Sequence, residues 1–356
     1  MLRREFRNTI LLSVALTAMG LWAAVPVSWA AEASLTGAGA SFPYPLYSKW
    51  FDVYEKATGV RINYQSIGSG GGIRQIQAGT VDFGASDAPL TDDEAKKMPG
   101  PVLHIPTVAG AVVVAYNLLG VSERLHLSGD VVASIFLGSI KRWNDGKIAA
   151  LNPGVKLPNL PIAVIHRSDS SGTSFLFTSY LAAVSRAWAV RVGAGKSVNW
   201  PVGLGGKGTE GVAGLVKQTP GGIGYVELAY ATENKLPYAS IRNRAGKFVV
   251  PSLDSTTAAA AGAAAAMKKD VRVSILNAAG ENAYPIAGFT YILVYQKQKD
   301  VGKGKALVDF LWWAIHDGQK HAPPLLYAPL PKAIVEVNER AIESITCAGR
   351  QLLASR

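Results

Sequence analysis

The sequence predicts an α/β fold built from two domains. Three segments each combine a short apolar strand pattern, a loop rich in glycine and serine, and the start of a helix; these loops carry Ser41, Ser69 and Ser171. In an open α/β sheet such loops lie at the carboxyl ends of the strands, where ligands bind. The chain has 356 residues, 49% of them hydrophobic, which is enough for two cores.

The first 30 residues have the pattern of a cleavable export signal. Three arginines lie within residues 3–7, an apolar run covers residues 10–25, and small residues occupy positions 28 and 30. We expect cleavage after Ala30, with an uncleaved membrane anchor as the alternative. No later stretch of the sequence is long and apolar enough to span a bilayer. We therefore expect an exported, soluble mature protein.

Composition argues against several classes of site. Cys347 is the only cysteine, so no internal disulfide is expected. The five histidines are scattered without the spacings typical of metal sites, so we expect no metal or other cofactor. The net charge of +11 falls to +9 once the signal, with three arginines and one glutamate, is removed. Because the basic residues are dispersed, this charge indicates a bias toward anionic solutes, and we predict no nucleic-acid partner.

The first two units follow each other closely. Residues 35–39 predict a strand that runs into the loop of Ser41, and Pro43 suits the first turn of the next helix, which places Ser41 near its N-cap. Residues 60–65 alternate like a strand and lead into the glycine-rich loop of Ser69. A third short strand, residues 80–84, ends just before Asp87.

The segment around Arg167 carries the strongest functional signal. A buried-type strand over residues 160–165 precedes a polar stretch, residues 167–174, and a helix is predicted after it. The first N–H groups of a helix lack internal partners and carry partial positive charge. Gly172 permits close backbone approach and Arg167 adds a fixed cation. The segment predicts anion binding, with an ordinary N-cap cluster as the alternative.

Other motifs are weaker. Residues 203–208 fit the GxGxxG spacing, but no clear strand precedes them, so we interpret them as a flexible surface loop. Ser171 is not surrounded by a GxSxG elbow, which argues against a catalytic nucleophile. The remaining chain predicts strand-type segments at residues 112–117, 131–143, 222–226 and 286–295, and helices at residues 256–269, 306–316 and 332–345.

The long gap between the first two loops and the Arg167 segment suggests that they belong to different domains. We predict a signal peptide at residues 1–30, a discontinuous domain I at residues 31–108 plus 287–356, and domain II at residues 109–286. Two crossing segments, near residues 106–112 and 285–290, would form the hinge.

The whole mature chain resembles the periplasmic phosphate-binding proteins of high-affinity phosphate ABC transporters (the PstS family). The matching segments are residues 33–43, 79–90, 137–143, 167–175, 199–208 and 222–227. The resemblance implies a two-domain class II solute-binding fold of the Venus-flytrap type, which closes on one phosphate ion and performs no chemistry on it. It also implies a periplasmic monomer that delivers phosphate to the membrane permease and ATPase subunits of a transporter.

The resemblance further implies ligand roles at matching positions. Asp169 falls where the family's aspartate orients the arginine. Serine replaces the family's frequent threonine at position 41, and Gly70 stands where a second serine is common. The implied phosphate ligands are Ser41, Phe42, Ser69, Asp87, Arg167, Ser171, Gly172 and Thr173.

Asp87 bears on whether the predicted ligand is phosphate or another oxyanion such as sulfate. A carboxylate can accept the proton of phosphate, whereas fully ionised sulfate has no proton to offer; without the resemblance, Asp87 would be interpreted as a turn or N-cap residue before Pro89. The leading hypothesis is an exported phosphate receptor, and a receptor for another oxyanion such as sulfate is the second. An exported phosphatase would need a metal cluster or an activated nucleophile, and the sequence shows neither.

Overall fold

A mixed sheet of eight strands organises the chain, which confirms the predicted α/β class. The computed structural model describes residues 34–353. The predicted signal peptide at residues 1–30, with its cleavage site after Ala30, lies outside the described residues.

The strands form one large sheet and two small ones. The strand bounds are β1 Ser34–Gly39, β2 Arg61–Ser66, β3 Phe83–Ser86, β4 Val102–Tyr116, β5 His126–Leu127, β6 Ala163–Arg167, β7 Leu204–Gly206, β8 Gly222–Glu227, β9 Ser240–Arg242, β10 Phe248–Val249, β11 Ala287–Tyr295, β12 Lys297–Gln298, β13 Thr346–Cys347 and β14 Arg350–Gln351. The large sheet has the order β2-β1-β3-β11-β4-β8-β6-β7, and the small sheets have the orders β10-β9-β5 and β12-β13-β14.

Helices fill most of the connections. In the described part of the chain, no helix is long and apolar enough to cross a membrane. The helix bounds are α1 Tyr44–Thr58, α2 Ser69–Ala78, α3 Asp92–Lys96, α4 Gly129–Phe136, α5 Gly146–Leu151, α6 Gly172–Val184, α7 Arg186–Arg191, α8 Gly208–Gln218, α9 Leu228–Glu233, α10 Leu253–Ala261, α11 Ala264–Met267, α12 Val301–Ile315 and α13 Lys332–Glu343, with short 3₁₀ turns at Asp317–His321 and Pro323–Leu325.

Strand β4 joins the two halves of the large sheet. Its first part pairs antiparallel with β11, and its last five residues pair antiparallel with β8. At the switch between these partners, Ala287 lies opposite Ala111. The two segments predicted as crossings, residues 106–112 and 285–290, are therefore neighbours in one sheet. The domain boundaries themselves stay a prediction.

Aromatic packing holds α1 against the first half of the sheet. Tyr47, Trp50 and Phe51 are buried, and Trp50 Nε1 donates a hydrogen bond of 2.7 Å to the carbonyl of Gly318. Burial of each such ring contributes about 1.5–3 kcal/mol. This packing fixes the start of α1 and the Ser41 loop that leads into it.

A second aromatic cluster fixes α6. The rings of Phe177 and Tyr225 stack with centroids 4.3 Å apart, and Phe136 packs edge-on against Phe177 with centroids 4.8 Å apart. Because Phe177 lies on α6 and Tyr225 on β8, the stack holds the N-terminus of α6 near the carboxyl end of the sheet.

Two predictions of local structure are wrong. Residues 131–143, predicted as strand-type, begin as the end of helix α4 and continue as turns, because a short apolar run alone does not distinguish a buried helix from a buried strand. Residues 203–208, predicted as a surface loop, contain strand β7 and the first residue of α8. The edge strand is only three residues long and pairs with β6, a non-local contact that the sequence pattern does not show.

Candidate functional site

The predicted loops meet at the carboxyl ends of the central strands. Ser41 follows β1, Ser69 opens α2 after β2, Asp87 follows β3, and Gly172 opens α6 after β6. All four residues are buried. The arrangement brings the N-termini of two helices, with their unpaired N–H groups and partial positive charge, to one place.

The first residues of α2 lie in hydrogen-bond contact with the start of α6 and the residue pair before it. Gly172 N–H donates to Ser69 Oγ at 3.0 Å, and Gly70 N–H donates to the carbonyl of Ser170 at 2.9 Å. A Cβ atom at Gly172 would lie 2.5 Å from Ser69 Oγ and 2.6 Å from Asp87 Oδ2. Only glycine permits this approach.

Arg167 is the buried cation of the site, with a side chain 1% exposed. Its Nε and Nη2 atoms donate to the two oxygens of Asp169 at 2.7 and 2.6 Å. Its third nitrogen, Nη1, donates to the hydroxyls of Thr173 at 3.3 Å and Thr209 at 3.2 Å. The Asp169 carboxylate thus orients the guanidinium plane, and Nη1 is directed toward the hydroxyl groups.

Asp169 remains ionised in this setting. Burial alone would raise the pKa of Asp169, but the hydrogen bonds and charge of Arg167 outweigh it and hold the pKa below its ordinary value. The backbone N–H of Gly208 also donates to Asp169 Oδ1, at 3.1 Å. Asp169 therefore links Arg167 to the N-terminus of α8.

Asp87 is a buried carboxylate, 2% exposed, with a donor at each oxygen. Thr290 Oγ1 donates to Oδ1 at 2.8 Å, and Ser69 Oγ donates to Oδ2 at 3.3 Å. Burial, followed by the negative charge of Glu227, raises the pKa of Asp87 to about 7. The acid and the carboxylate forms therefore coexist near neutral pH in the ligand-free site.

Ser41 and Phe42 lie where β1 turns toward α1. Ser41 Oγ is 2.9 Å from Thr209 Oγ1, and Tyr230 OH donates to the carbonyl of Ser41 at 2.8 Å. The helix begins at Tyr44 with Pro43 at the N-cap position, so Pro43 precedes the first helical turn that was predicted for it, while Ser41 lies just before the cap as expected. Phe42 is fully buried, and its carbonyl accepts from Tyr327 OH at 2.6 Å.

Ser171 and Thr173 hold the start of α6. Ser171 is its N-cap, because its hydroxyl accepts from Ser174 N–H at 3.1 Å. Thr173 Oγ1 donates to Glu227 Oε1 at 2.7 Å. The structure thus brings all nine predicted site residues into one neighbourhood, while the hydroxyl of Ser171 and the carbonyl of Phe42 have structural partners.

Sequence reasoning missed three polar residues of this neighbourhood: Thr209, Thr290 and Glu227. Thr209 follows the glycine-rich residues 203–208, and that GxGxxG spacing was the available signal. Thr290 lies at a register shift between β11 and β4, a bulge of the kind that re-aims side chains at functional sites. Glu227 ends β8 inside a segment, residues 222–227, that the resemblance had already marked.

The arrangement suits a small oxyanion. Hydroxyls, backbone N–H groups at two helix N-termini and one guanidinium nitrogen supply donors, while Asp87 supplies an acceptor. Among residues 34–353, no group of three or more His, Cys, Asp or Glu side chains is placed to hold a metal ion.

Comparisons with known proteins point to one family. The PBP superfamily domain matches residues 26–317. Phosphate-binding protein PstS of Xylella fastidiosa is 50% identical over 303 residues, which are 85% of this chain and 83% of that protein. Phosphate-binding protein PstS of Methanocaldococcus jannaschii is 41% identical over 332 residues, 86% of this chain and 85% of that protein.

A solved structure supports the fold. A high-affinity periplasmic phosphate-binding protein bound with phosphate superposes with a TM-score of 0.70 and 21% identity, covering 86% of this chain and 93% of that chain. The predicted solute-binding fold is therefore confirmed.

The raised pKa of Asp87 predicts a pH-dependent stability. The unfolded chain has the ordinary aspartate pKa of 3.8 and the folded chain about 7, so the free energy of unfolding falls as pH rises through this window. A difference of about 3 pKa units amounts to up to about 4 kcal/mol. Asp87→Asn should remove most of this decrease in the free energy of unfolding. Urea unfolding of ligand-free protein should show about 3 kcal/mol of this decrease between about pH 5 and pH 8.5, since part of the window lies below pH 5.

Asp93→Asn is the control for this comparison, because the Asp93 side chain is 85% exposed. It should keep the pH dependence of the unsubstituted protein. Equal pH dependence in Asp87→Asn would contradict the prediction.

Proposed function

Because this chain belongs to the PstS family of phosphate-binding proteins, we propose that it is an exported receptor for inorganic phosphate that supplies an ABC importer. The observation that carries the proposal is the buried Arg167–Asp169 pair, whose third guanidinium nitrogen, Nη1, donates to hydroxyls near the junction of two helix N-termini. Such a site binds and orients an anion. We propose no catalytic activity and no cofactor, with phosphate itself as the ligand.

The proposed binding site uses the residues that the sequence singled out. Phosphate loses its water shell on burial, and hydrogen bonds must replace it. Bonds to charged groups contribute about 1.5–3 kcal/mol each, and micromolar affinity corresponds to about −8 kcal/mol. We propose that Asp169 orients the guanidinium and that Thr209 joins the ligands predicted from the sequence. Those ligands are Ser41, Phe42, Ser69, Asp87, Arg167, Ser171, Gly172 and Thr173.

We propose that residues 31–108 plus 287–356 form one lobe and residues 109–286 the other, and that phosphate closes them. The Glu94–Lys196 ion pair, at 2.7 Å, would then join the lobes, as would the contact of Gly172 with Ser69. We further propose a monomer in the periplasm that docks on membrane permease subunits served by a separate ATPase.

Calorimetric titration of ligand-stripped protein with phosphate tests the function, and Arg167 gives the sharpest variant. Arg167→Ala leaves Asp169 unpaired beside the incoming anion, and an unpaired buried charge costs about 3–5 kcal/mol. Affinity should therefore fall at least about 100-fold. Arg167→Lys should recover only part of the phosphate affinity, since lysine cannot form the bidentate pair of hydrogen bonds. Arg186→Ala, an exposed arginine on α7, is the control. Near-native affinity in Arg167→Ala would refute the anchor role.

Asp87 predicts selectivity against sulfate. An ionised Asp87 accepts a hydrogen bond from a phosphate O–H but repels a sulfate oxygen, and sites that demand such a bond reject analogues by about 10⁴–10⁵. Because the pKa of Asp87 is about 7, sulfate rejection should strengthen as pH rises through neutrality. Asp87→Asn should weaken rejection by about tenfold or more and remove this pH dependence. Competition binding of phosphate and sulfate at fixed ionic strength measures the sulfate rejection and its pH dependence. If Asp87→Asn rejects sulfate as strongly as the unsubstituted protein, the hydroxyl and backbone groups of the site would be responsible for the selectivity.

A side chain at position 172 should block the closure of the two proposed lobes. The Cβ atom of Gly172→Ala would lie 2.5–2.7 Å from atoms of Ser69 and Asp87, so the two loops must separate. Small-angle scattering should show that phosphate compacts the unsubstituted protein but not the variant. Gly214→Ala, on α8 with open space around the new methyl, is the matched control and should compact normally. Equal compaction of the Gly172 variant would argue against a closing clamp.

A further inference from the structure

Glu227 is a buried carboxylate that the proposed ligand set does not use. It ends β8, is 1% exposed, and lies directly behind Thr173. Its Oε1 atom accepts the Thr173 hydroxyl at 2.7 Å. Its Oε2 atom is buried and has no hydrogen-bond partner among the described residues. An ionised carboxylate in this position is poorly compensated.

Asp87 differs in this respect. Each of its oxygens accepts a side-chain hydroxyl, from Thr290 and from Ser69. Because hydrogen bonds to a carboxylate favour its charged form, Asp87 is the better acceptor for an anion's proton. Glu227, with one oxygen lacking a donor, is therefore the carboxylate whose charged form is less satisfied by hydrogen bonds.

The surrounding charges favour the same assignment. The groups that face Glu227 are Arg167, Asp87, Tyr230 and Tyr327. Among them Arg167 is the cation, and Asp169 already neutralises it. An incoming phosphate with one or two negative charges would therefore join two buried carboxylates without a further cation. Burial already raises the pKa of Glu227 before any anion arrives.

We propose that Glu227 takes up one proton from solvent when phosphate binds, and that this proton frees the Thr173 hydroxyl to donate to the anion. An O–H bond forms on the Glu227 carboxylate, the buffer supplies the proton, and no bond in phosphate changes. The 2.7 Å contact persists with reversed direction, since the acid O–H donates to Thr173 Oγ1. Thr173 then directs its own O–H to a phosphate oxygen. This inference rests on the proposed phosphate-binding function.

Proton counting by calorimetry tests it. Phosphate is titrated at about pH 8.5 into ligand-stripped protein in two buffers of different ionisation enthalpy, and the slope gives protons taken up per phosphate. Glu227→Gln mimics the neutral acid, because its amide N–H can donate to Thr173 Oγ1. It should bind phosphate within about tenfold of the unsubstituted protein but take up about one proton fewer. Protons that phosphate itself exchanges with the buffer are common to both proteins, and they cancel when one proton count is subtracted from the other.

Glu210→Gln is the matched control. Glu210 is an exposed carboxylate that contacts Tyr230 OH at 3.0 Å, and its replacement should leave the proton count unchanged. Equal proton counts for the unsubstituted protein and Glu227→Gln would overturn the proposal. Absence of phosphate binding by the unsubstituted protein would instead refute the proposed function.

If the Glu227→Gln variant fails to fold, a second measurement still tests the proposal. Infrared difference spectra of protein labelled with ¹³C at its glutamate carboxyl groups, with and without saturating phosphate at the same pH, keep both carboxylates in place, and the isotope shift separates glutamate bands from those of Asp87. A protonated-carboxyl carbonyl band of glutamate that grows with phosphate supports the proposal. A spectrum without that band at saturation overturns it.

Discussion

The site depends on the ion pair between Arg167 and Asp169. A buried guanidinium is costly unless it is paired and hydrogen-bonded, and here two nitrogens meet both carboxylate oxygens. Asp169 also accepts from Gly208 N–H, which positions Thr209 at the start of α8. Thr209 in turn contacts Ser41, from the first strand of the chain. One ion pair therefore aligns groups that are far apart in sequence.

Backbone proximity is the second constraint. Gly172 N–H reaches Ser69 Oγ because neither a side chain nor a longer loop separates the two helix starts. Aromatic packing beneath the loops keeps the two helix starts close together, since the Phe177–Tyr225 stack fixes α6 on the sheet. The donors are thus preorganised, which lowers the conformational cost of binding.

Local sequence signals predicted the parts of this site that are encoded locally. The loops of Ser69 and Arg167 combine glycine, hydroxyl residues and a following helix, and these patterns need no tertiary information. Thr290 was missed because its direction depends on a bulge between β11 and β4, a pairing between distant segments. Thr209 was missed because a three-residue edge strand leaves almost no periodicity. The ligand roles and domain boundaries remain predictions, since they depend on a bound ion and on motion.

The charge of the whole chain and the charge of the site act differently. The predicted mature chain carries +9, and such a surface attracts any anion over roughly a Debye length of about 8–10 Å. Within the site, however, three carboxyl groups, those of Asp87, Asp169 and Glu227, surround the single guanidinium of Arg167. Attraction alone therefore cannot explain binding there. An anion is accepted when its protons and lone pairs match the fixed acceptors and donors, and an anion without a proton leaves a buried carboxylate facing an oxygen.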